Sequence, residues 1–339
     1  MAVTIKDVAR AAGCSIKTVS RVVNDEPYVS EATRARVQKA IDELGYVPNI
    51  FARRFAQQRS YTLGVLLHSG GYNQQAWLSS ILEIGYEYNY DILPQSYFPA
   101  YKKSQQKLAS LIHERRIDGL VTTPPCDLDE FVLQQVTQSG IPLVRVNPYD
   151  RSGDLPYVSG DDFQGARMLT QHLMDLGHRR IAFFRGPLNH RMSVDRFHGY
   201  RAALEEGRLE YRAEWVQDSL FNFDGGYNAT RMVMRGEDRP TAIFAGSDES
   251  AQGALFALRE MGIEVPGEGS VAGFDDMPLA GNTWPGITTV QMPYRNIVEQ
   301  AVNLLVDVLN KKDSGLQQVI LPGRLILRGS TGPVPDPQG

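Results

Sequence analysis

Residues 4–24, TIKDVARAAGCSIKTVSRVVN, decide how the N-terminal end of this chain folds. They read as two short helices joined by a tight turn. Ala9 is small enough to let the second helix approach the first. Gly13 can take the positive φ of the turn without a Cβ penalty, and Val19 faces a small core. This is the spacing of a helix-turn-helix. It leaves Ile16, Lys17, Ser20 and Arg21 on the outer face of the second helix, where a recognition helix meets base edges in a major groove.

The flanking residues extend the head. Thr4 is suited to cap the first helix, with Asp7 three residues on as its capping-box partner. That helix runs to about Ala11. Ser15 caps the second, which runs to about Asn24, and Ser30 caps a third that ends at Gly45. Val37, Ala40, Ile41 and Leu44 recur at helical spacing and face Ile5, Val8, Val19 and Val22. Pro48 follows the third helix, and Asn49 is placed to cap a short helix over residues 50–57. A helix of about eight residues is unstable alone in water. It needs DNA, a second copy of itself, or both.

Composition bounds the rest. A chain of 339 residues, 42% hydrophobic and 22% charged, is globular and too long for one ordinary core. Its net charge of −4 hides an asymmetry: residues 1–60 hold ten Lys or Arg against six acids, +4, and the remainder holds 25 against 33, −8. A basic head on an acidic body puts a polyanion-binding surface at the N-terminus. Cys14 and Cys126 are far apart with no CxxC, so neither a disulfide framework nor a zinc site is expected. The N-terminus has no apolar run and no stretch reaches the roughly 18 apolar residues of a membrane span, so a cytoplasmic protein without membrane contact is expected.

From Thr62 the pattern becomes strands alternating with helices, and the rhythm repeats after Asp162. It predicts an α/β body of two doubly wound halves, joined near Asp161 and again near Val290. The expected division is a head over 1–46, a hinge over 47–60, one lobe over 61–161 with 291–318, a second over 162–290 with 319–330, and a disordered tail over 331–339. The stretch QQVILPGRLILRG, residues 317–329, reads as a last strand pair or hairpin. Open α/β sheets bind ligands beyond the carboxyl ends of their strands. Tyr72, Asn73, Thr123, Asn147, Asp161, Asp248 and Asp275 lie at such ends, and Arg196 near the start of a following helix. Asp, Asn and Arg can exchange hydrogen bonds with adjacent hydroxyls, and Tyr72, Phe221, Trp284 and Tyr294 can stack on a sugar face. Helix capping is the alternative role for Asp161 and Asp248. No GxSxG, HExxH or Walker loop occurs, Gly267, Gly269 and Gly273 miss GxGxxG, and the six histidines show no metal spacing. An enzyme is not expected, nor a metal or other cofactor.

Residues 3–58, through TIKDVARAAG, S-x-x-TVSRVVN, VSEATRARV, ELGYVPN and the Ala52–Arg53 pair, resemble the head of the LacI/GalR family of bacterial repressors. The resemblance continues to about residue 330 and implies a periplasmic-binding-protein-like body. It implies that Ile16, Lys17 and Arg21 read bases, with Ser20 beside them. Thr4, Ser15, Thr18, Asn24, Ser30, Thr33 and Asn49 would contact phosphates, which position the head without reading sequence. Ala52, Arg53 and Phe55 would lie in a hinge helix that enters the minor groove. Phe55 stands where the family usually has a leucine wedge; a phenyl ring can also part bases, and packing on the body is its alternative. Arg196 and Asp275 match the family's effector-binding arginine and aspartate. A homodimer reading a pseudo-palindromic operator is implied, with the helix around Trp77, Leu78 and Ile81 at its interface. On the resemblance a carbohydrate effector is favoured. A nucleobase or protein corepressor, or a sugar-binding transport protein, remain the alternatives. Loss of Arg196 is expected to spare DNA binding and remove the response to effector.

Overall fold

The computed structural model describes residues 3–23, 28–46, 59–67, 74–124, 126–310 and 317–334. They divide into a head ending at Ser60 and a body beginning at Tyr61. Asn24, Asn49, Ala52, Arg53, Phe55, Tyr72 and Asn73 lie outside the described residues.

The head holds α1 (Ile5–Ala11), α2 (Ile16–Val23) and α3 (Glu31–Leu44). Asp7 accepts from both the backbone N–H of Thr4 at 3.0 Å and its hydroxyl at 2.6 Å. Those bonds hold the Asp7 carboxyl below its ordinary pKa. Ser15 caps α2 by accepting the N–H of Thr18 at 3.1 Å. Gly13 and Gly45 both take positive φ, 59° and 60°, as the turns require. Val8, Ala9, Ala12, Val19, Val22, Val37 and Ala40 close a small core. Leu44 stays 36% exposed; the chain turns at Gly45 and Tyr46 packs on the core instead.

The body opens with β1 (Thr62–Leu67), α4 (Gln74–Glu87), β2 (Asp91–Ser96), α5 (Lys102–His113), β3 (Gly119–Thr122), α6 (Glu130–Ser139), β4 (Leu143–Val146) and β5 (Tyr157–Gly160). It continues with α7 (Asp162–Asp175), β6 (Ile181–Arg185), α8 (Arg191–Glu206), β7 (Val216–Asp218), α9 (Phe223–Val233), β8 (Ala242–Ala245), α10 (Asp248–Glu260) and β9 (Ser270–Ala272). Then come α11 (Pro278–Asn282), β10 (Thr289–Gln291), α12 (Tyr294–Leu309), β11 (Gln318–Leu321) and β12 (Arg324–Ile326).

Two parallel sheets result, one per lobe. The first runs β11-β5-β4-β3-β1-β2 and the second β7-β6-β8-β9. The interior strands are mostly apolar and buried along their length, because helices cover both sides of a parallel sheet. β2 carries Pro94, which lacks a ladder donor, and it lies at an edge. The chain leaves the first lobe after β5, returns through α12, and crosses once more after β11.

Three sequence expectations change. Residues 317–329 are not a hairpin: β11 pairs parallel with β5 in the first sheet, and β12 pairs antiparallel with β10. Residues 319–321 therefore belong to the first lobe, since a boundary after 318 would cut through β11. Nor are residues 331–334 a loose tail. Thr331 bonds to His172 and Thr288, the N–H of Gly332 donates to Ser270 Oγ, and the N–H of Val334 donates to Leu176. Residues 335–339 lie outside the described residues. Finally, Ile81 is buried and Trp77 and Leu78 pack inward against the first-lobe core. The outward face of α4 is Leu82 and Tyr86, the latter 86% exposed. The apolar residues of α4 cover two faces, and only the fold assigns one of them to the core.

Candidate functional site

In the head, Val19 and Val22 consume the inner face of α2. Ile16 and Lys17 remain exposed, Ile16 by 45%, while Thr18, Ser20 and Arg21 are half-buried at its flank. Ile16 has no place in the head core, and beside a lysine it supplies the mixed apolar and cationic surface that base edges and phosphates require. Ser15 and Ser30 also bond to Thr18 and Thr33, hydroxyl to hydroxyl, both at 2.9 Å. These hydroxyls stand at the N-termini of α2 and α3, where anions are favoured.

In the body, the second-lobe strand ends converge on Arg196. Its guanidinium is 1% exposed. Nε donates to Asp162 Oδ1 at 2.8 Å, Nη1 to the carbonyl of Gly246 at 2.6 Å, and Nη2 to Asp275 Oδ1 at 2.7 Å. The guanidinium carbon lies 3.9 Å from the ring centroid of Phe274 and 5.2 Å from that of Phe221. Tyr294, at the start of α12, donates its hydroxyl to Asp275 Oδ1 and so ties the first lobe to the cluster. Gly199 makes the placement possible: a Cβ there would sit 2.2 Å from the carbonyl of Phe163, so only glycine lets α8 lie close enough to α7 for Arg196 to reach Asp162. Phe221 at φ 59° and Asp275 at φ 105° hold backbone conformations unusual for their residue types. Such strain collects where a side chain must be aimed.

Burial works against the charge on Arg196, but the carboxylates of Asp275 and Asp162 outweigh it and the net shift is upward. Burial pushes the Asp162 carboxyl up to about 6, with Arg196 opposing. Tyr294 is raised well above its ordinary value by burial and by Asp275. A carboxyl whose folded pKa exceeds its unfolded value contributes stability below the unfolded pKa, and that contribution is lost as pH rises through the folded one. The parent body is therefore expected to lose more stability between pH 5 and pH 8 than Asp162→Asn, whose side chain does not titrate. Urea denaturation of both proteins at the two pH values measures the difference. The same pH dependence in parent and variant would show that Asp162 keeps its charge throughout.

The remaining predicted residues separate. Asp161 caps α7 by accepting the N–H of Gln164 at 3.0 Å. Adjacent residues at a helix start point apart, so Asp161 serves the backbone and Asp162 the arginine. Asp248 is wholly buried and accepts from Thr289 Oγ1 at 2.6 Å and the N–H of Met277 at 2.7 Å. Burial raises its pKa well above the ordinary carboxylate value. Asn147 ties β4 to β5 through Ser159 and Gly160. Thr123 donates to the carbonyl of Leu66 at 3.0 Å. Trp284 is 94% exposed and has no part in the cluster. Sequence reading missed Phe274, which stacks on Arg196, and Ser193, a buried hydroxyl on α8 with no hydrogen-bond partner among the described residues. The only signal for Phe274 was its place before Asp275.

In the first lobe a small apolar cavity of about 10 Å³ lies beside the ends of β1, β3 and β4. Val65, Leu67, Val121, Val146 and Val298 line it with Trp77, whose ring meets Tyr294 edge-on at 5.1 Å. Apolar walls and the Arg196 cluster thus adjoin at Tyr294. Among the described residues no three His, Cys, Asp or Glu are grouped to hold a metal ion, and no helix is long and apolar enough to cross a membrane.

A helix-turn-helix head in one chain with a two-lobed α/β body, whose strand ends carry a buried polar cluster beside an apolar cavity, defines a ligand-responsive DNA-binding regulator. Residues 4–49 match the family model for bacterial regulatory proteins of the lacI family, and residues 170–331 match that for a periplasmic binding protein-like domain. The chain is 33% identical to catabolite control protein A of Priestia megaterium, over 98% of this chain and 100% of that one. It belongs to the lacI family and is a DNA-binding transcriptional regulator. Its fold matches the transcriptional regulator CelR–cellobiose complex, with a TM-score of 0.73, 30% identity and coverage of 97% of this chain and 99% of that one. It also matches the lac repressor dimer bound to operator and the anti-inducer ONPF, with a TM-score of 0.76, 26% identity and coverage of 98% and 100%. These relatives are regulators.

Proposed function

We propose that the chain is a cytoplasmic repressor that binds a pseudo-palindromic operator as a homodimer, and that a carbohydrate bound against Arg196, Asp275, Phe221 and Tyr294 alters its operator affinity. The carrying observation is the junction of the Asp275–Arg196–Asp162 cluster with aromatic walls. A sugar offers adjacent hydroxyls to such carboxylates and a C–H face to such rings. The cellobiose complex of a structural relative supports a sugar over a nucleobase. Ile16, Lys17 and Arg21 are assigned to bases, and Thr4, Ser15, Thr18, Ser30 and Thr33 to phosphates. The homodimer would cover Leu82 and Tyr86 on α4 and Phe256 on α10, large side chains left in water in one chain.

A thermal-shift screen of the full chain against mono- and disaccharides and purine bases tests the effector. Binding to the folded state alone stabilises by roughly 2.7 kcal/mol at a hundredfold excess over Kd. The expected result is a concentration-dependent rise in Tm with at least one sugar, and loss of that rise in Asp275→Asn. A rise with bases alone would replace the carbohydrate reading with a nucleobase one.

A further inference from the structure

The loop between β4 and β5 belongs to the first lobe and α8 to the second, and one side chain passes between them. Arg151 Nη2 donates to Ser159 Oγ at 2.7 Å and lies 3.2 Å from Asp195 Oδ2. Asp195 Oδ1 also accepts Nε of Arg191 at 2.7 Å. Behind Arg151, Ser159 donates to Asn147 Oδ1 at 3.1 Å, and that oxygen accepts the N–H of Gly160 at 3.0 Å. The ends of β4 and β5 are therefore joined, through one guanidinium, to the residue immediately before Arg196.

Exposed ion pairs contribute little, because water screens them and ordering two long side chains costs entropy. This pair differs on both counts. The Arg151 and Asp195 side chains are 18% and 7% exposed, and each is already held by a second partner, Ser159 or Arg191. The β4–β5 loop and α8 are linked covalently only through the crossover at Asp161 and the intervening α7 and β6. A parting of the lobes that draws α8 away from the β4–β5 loop separates Arg151 from Asp195.

We propose that the Arg151–Asp195 ion pair is a clasp between the lobes, made when they close and broken when they part, which sets the closed fraction before any ligand arrives. A ligand that favours closure then has less to supply in a chain with the clasp than in one without it. The clasp is independent of the ligand's identity and stands whether the cleft takes a sugar or a base.

Hydrogen exchange of the full-length protein, read by mass spectrometry without added ligand, tests it. Arg151→Gln and Asp195→Asn should each speed exchange about fivefold in both the 148–156 loop and the first turns of α8, with the double variant no faster than either. Arg191→Gln keeps the cross-lobe partner and should leave the loop unchanged, and Arg151→Lys, which keeps the charge, should retain most of the protection. The proposal is overturned if Arg151→Gln alters only its own loop, if the two single effects add in the double variant, or if Arg191→Gln reproduces Asp195→Asn across both segments. Circular dichroism identifies a variant that has unfolded, and Arg151→Lys against the parent then carries the comparison.

Discussion

Arg196→Ala is expected to destabilise the body by about 3–5 kcal/mol, the range for removing one partner from a buried ionic network. The substitution strands Asp162 and Asp275, both buried, without their shared cation. It also leaves the Gly246 carbonyl without its donor and opens a gap under Phe274. The sequence reading had Arg196 as a ligand contact whose loss would spare DNA binding and remove the response to effector. With its guanidinium engaged by protein acceptors and covered by two rings, the side chain is first a part of the second-lobe core. Urea denaturation at pH 7 measures the loss, and Arg196→Ala combined with Asp162→Asn should recover part of it by removing one stranded charge. A loss below about 1 kcal/mol would mean that water reaches the cluster and solvates the carboxylates in place of Arg196.

Arg21→Ala is expected to cut discrimination between operator and random duplex by roughly 5- to 150-fold, since a bidentate arginine–guanine contact carries about 1–3 kcal/mol. Binding to random duplex should fall far less, by the share of a single phosphate contact. Arg21 is half-buried at the flank of α2 and is not one of the residues that close the head core. Fluorescence anisotropy against a selected operator and a scrambled duplex, each at two salt concentrations, separates the two losses. Equal losses on both duplexes would make Arg21 a phosphate contact.

The head was legible in the sequence because its determinants are local. Thr4 with Asp7, Ser15 with Thr18 and Gly13 in its turn act over three or four residues, and the structure holds each as the spacing requires. The alternation of strands and helices was equally legible, since apolar runs must be buried on both faces of a parallel sheet. The site was legible only in part. Asp275, read from its strand end, and Arg196, read from the start of a helix, do meet, together with Phe221 and Tyr294, which were read only as aromatics able to stack on a sugar; Asp161 and Asp248 are spent on a helix cap and on buried bonds to Thr289 and Met277.

What the sequence determined by itself was the kind of protein: a basic helix-turn-helix head on an acidic α/β body with two sheets. What only the tertiary structure decided was which of two neighbouring aspartates faces Arg196, which face of α4 turns outward, and that β11 and β12 part to different lobes. Each of those depends on partners tens to hundreds of residues away or on the direction of a helix start, and composition and periodicity along the chain carry neither.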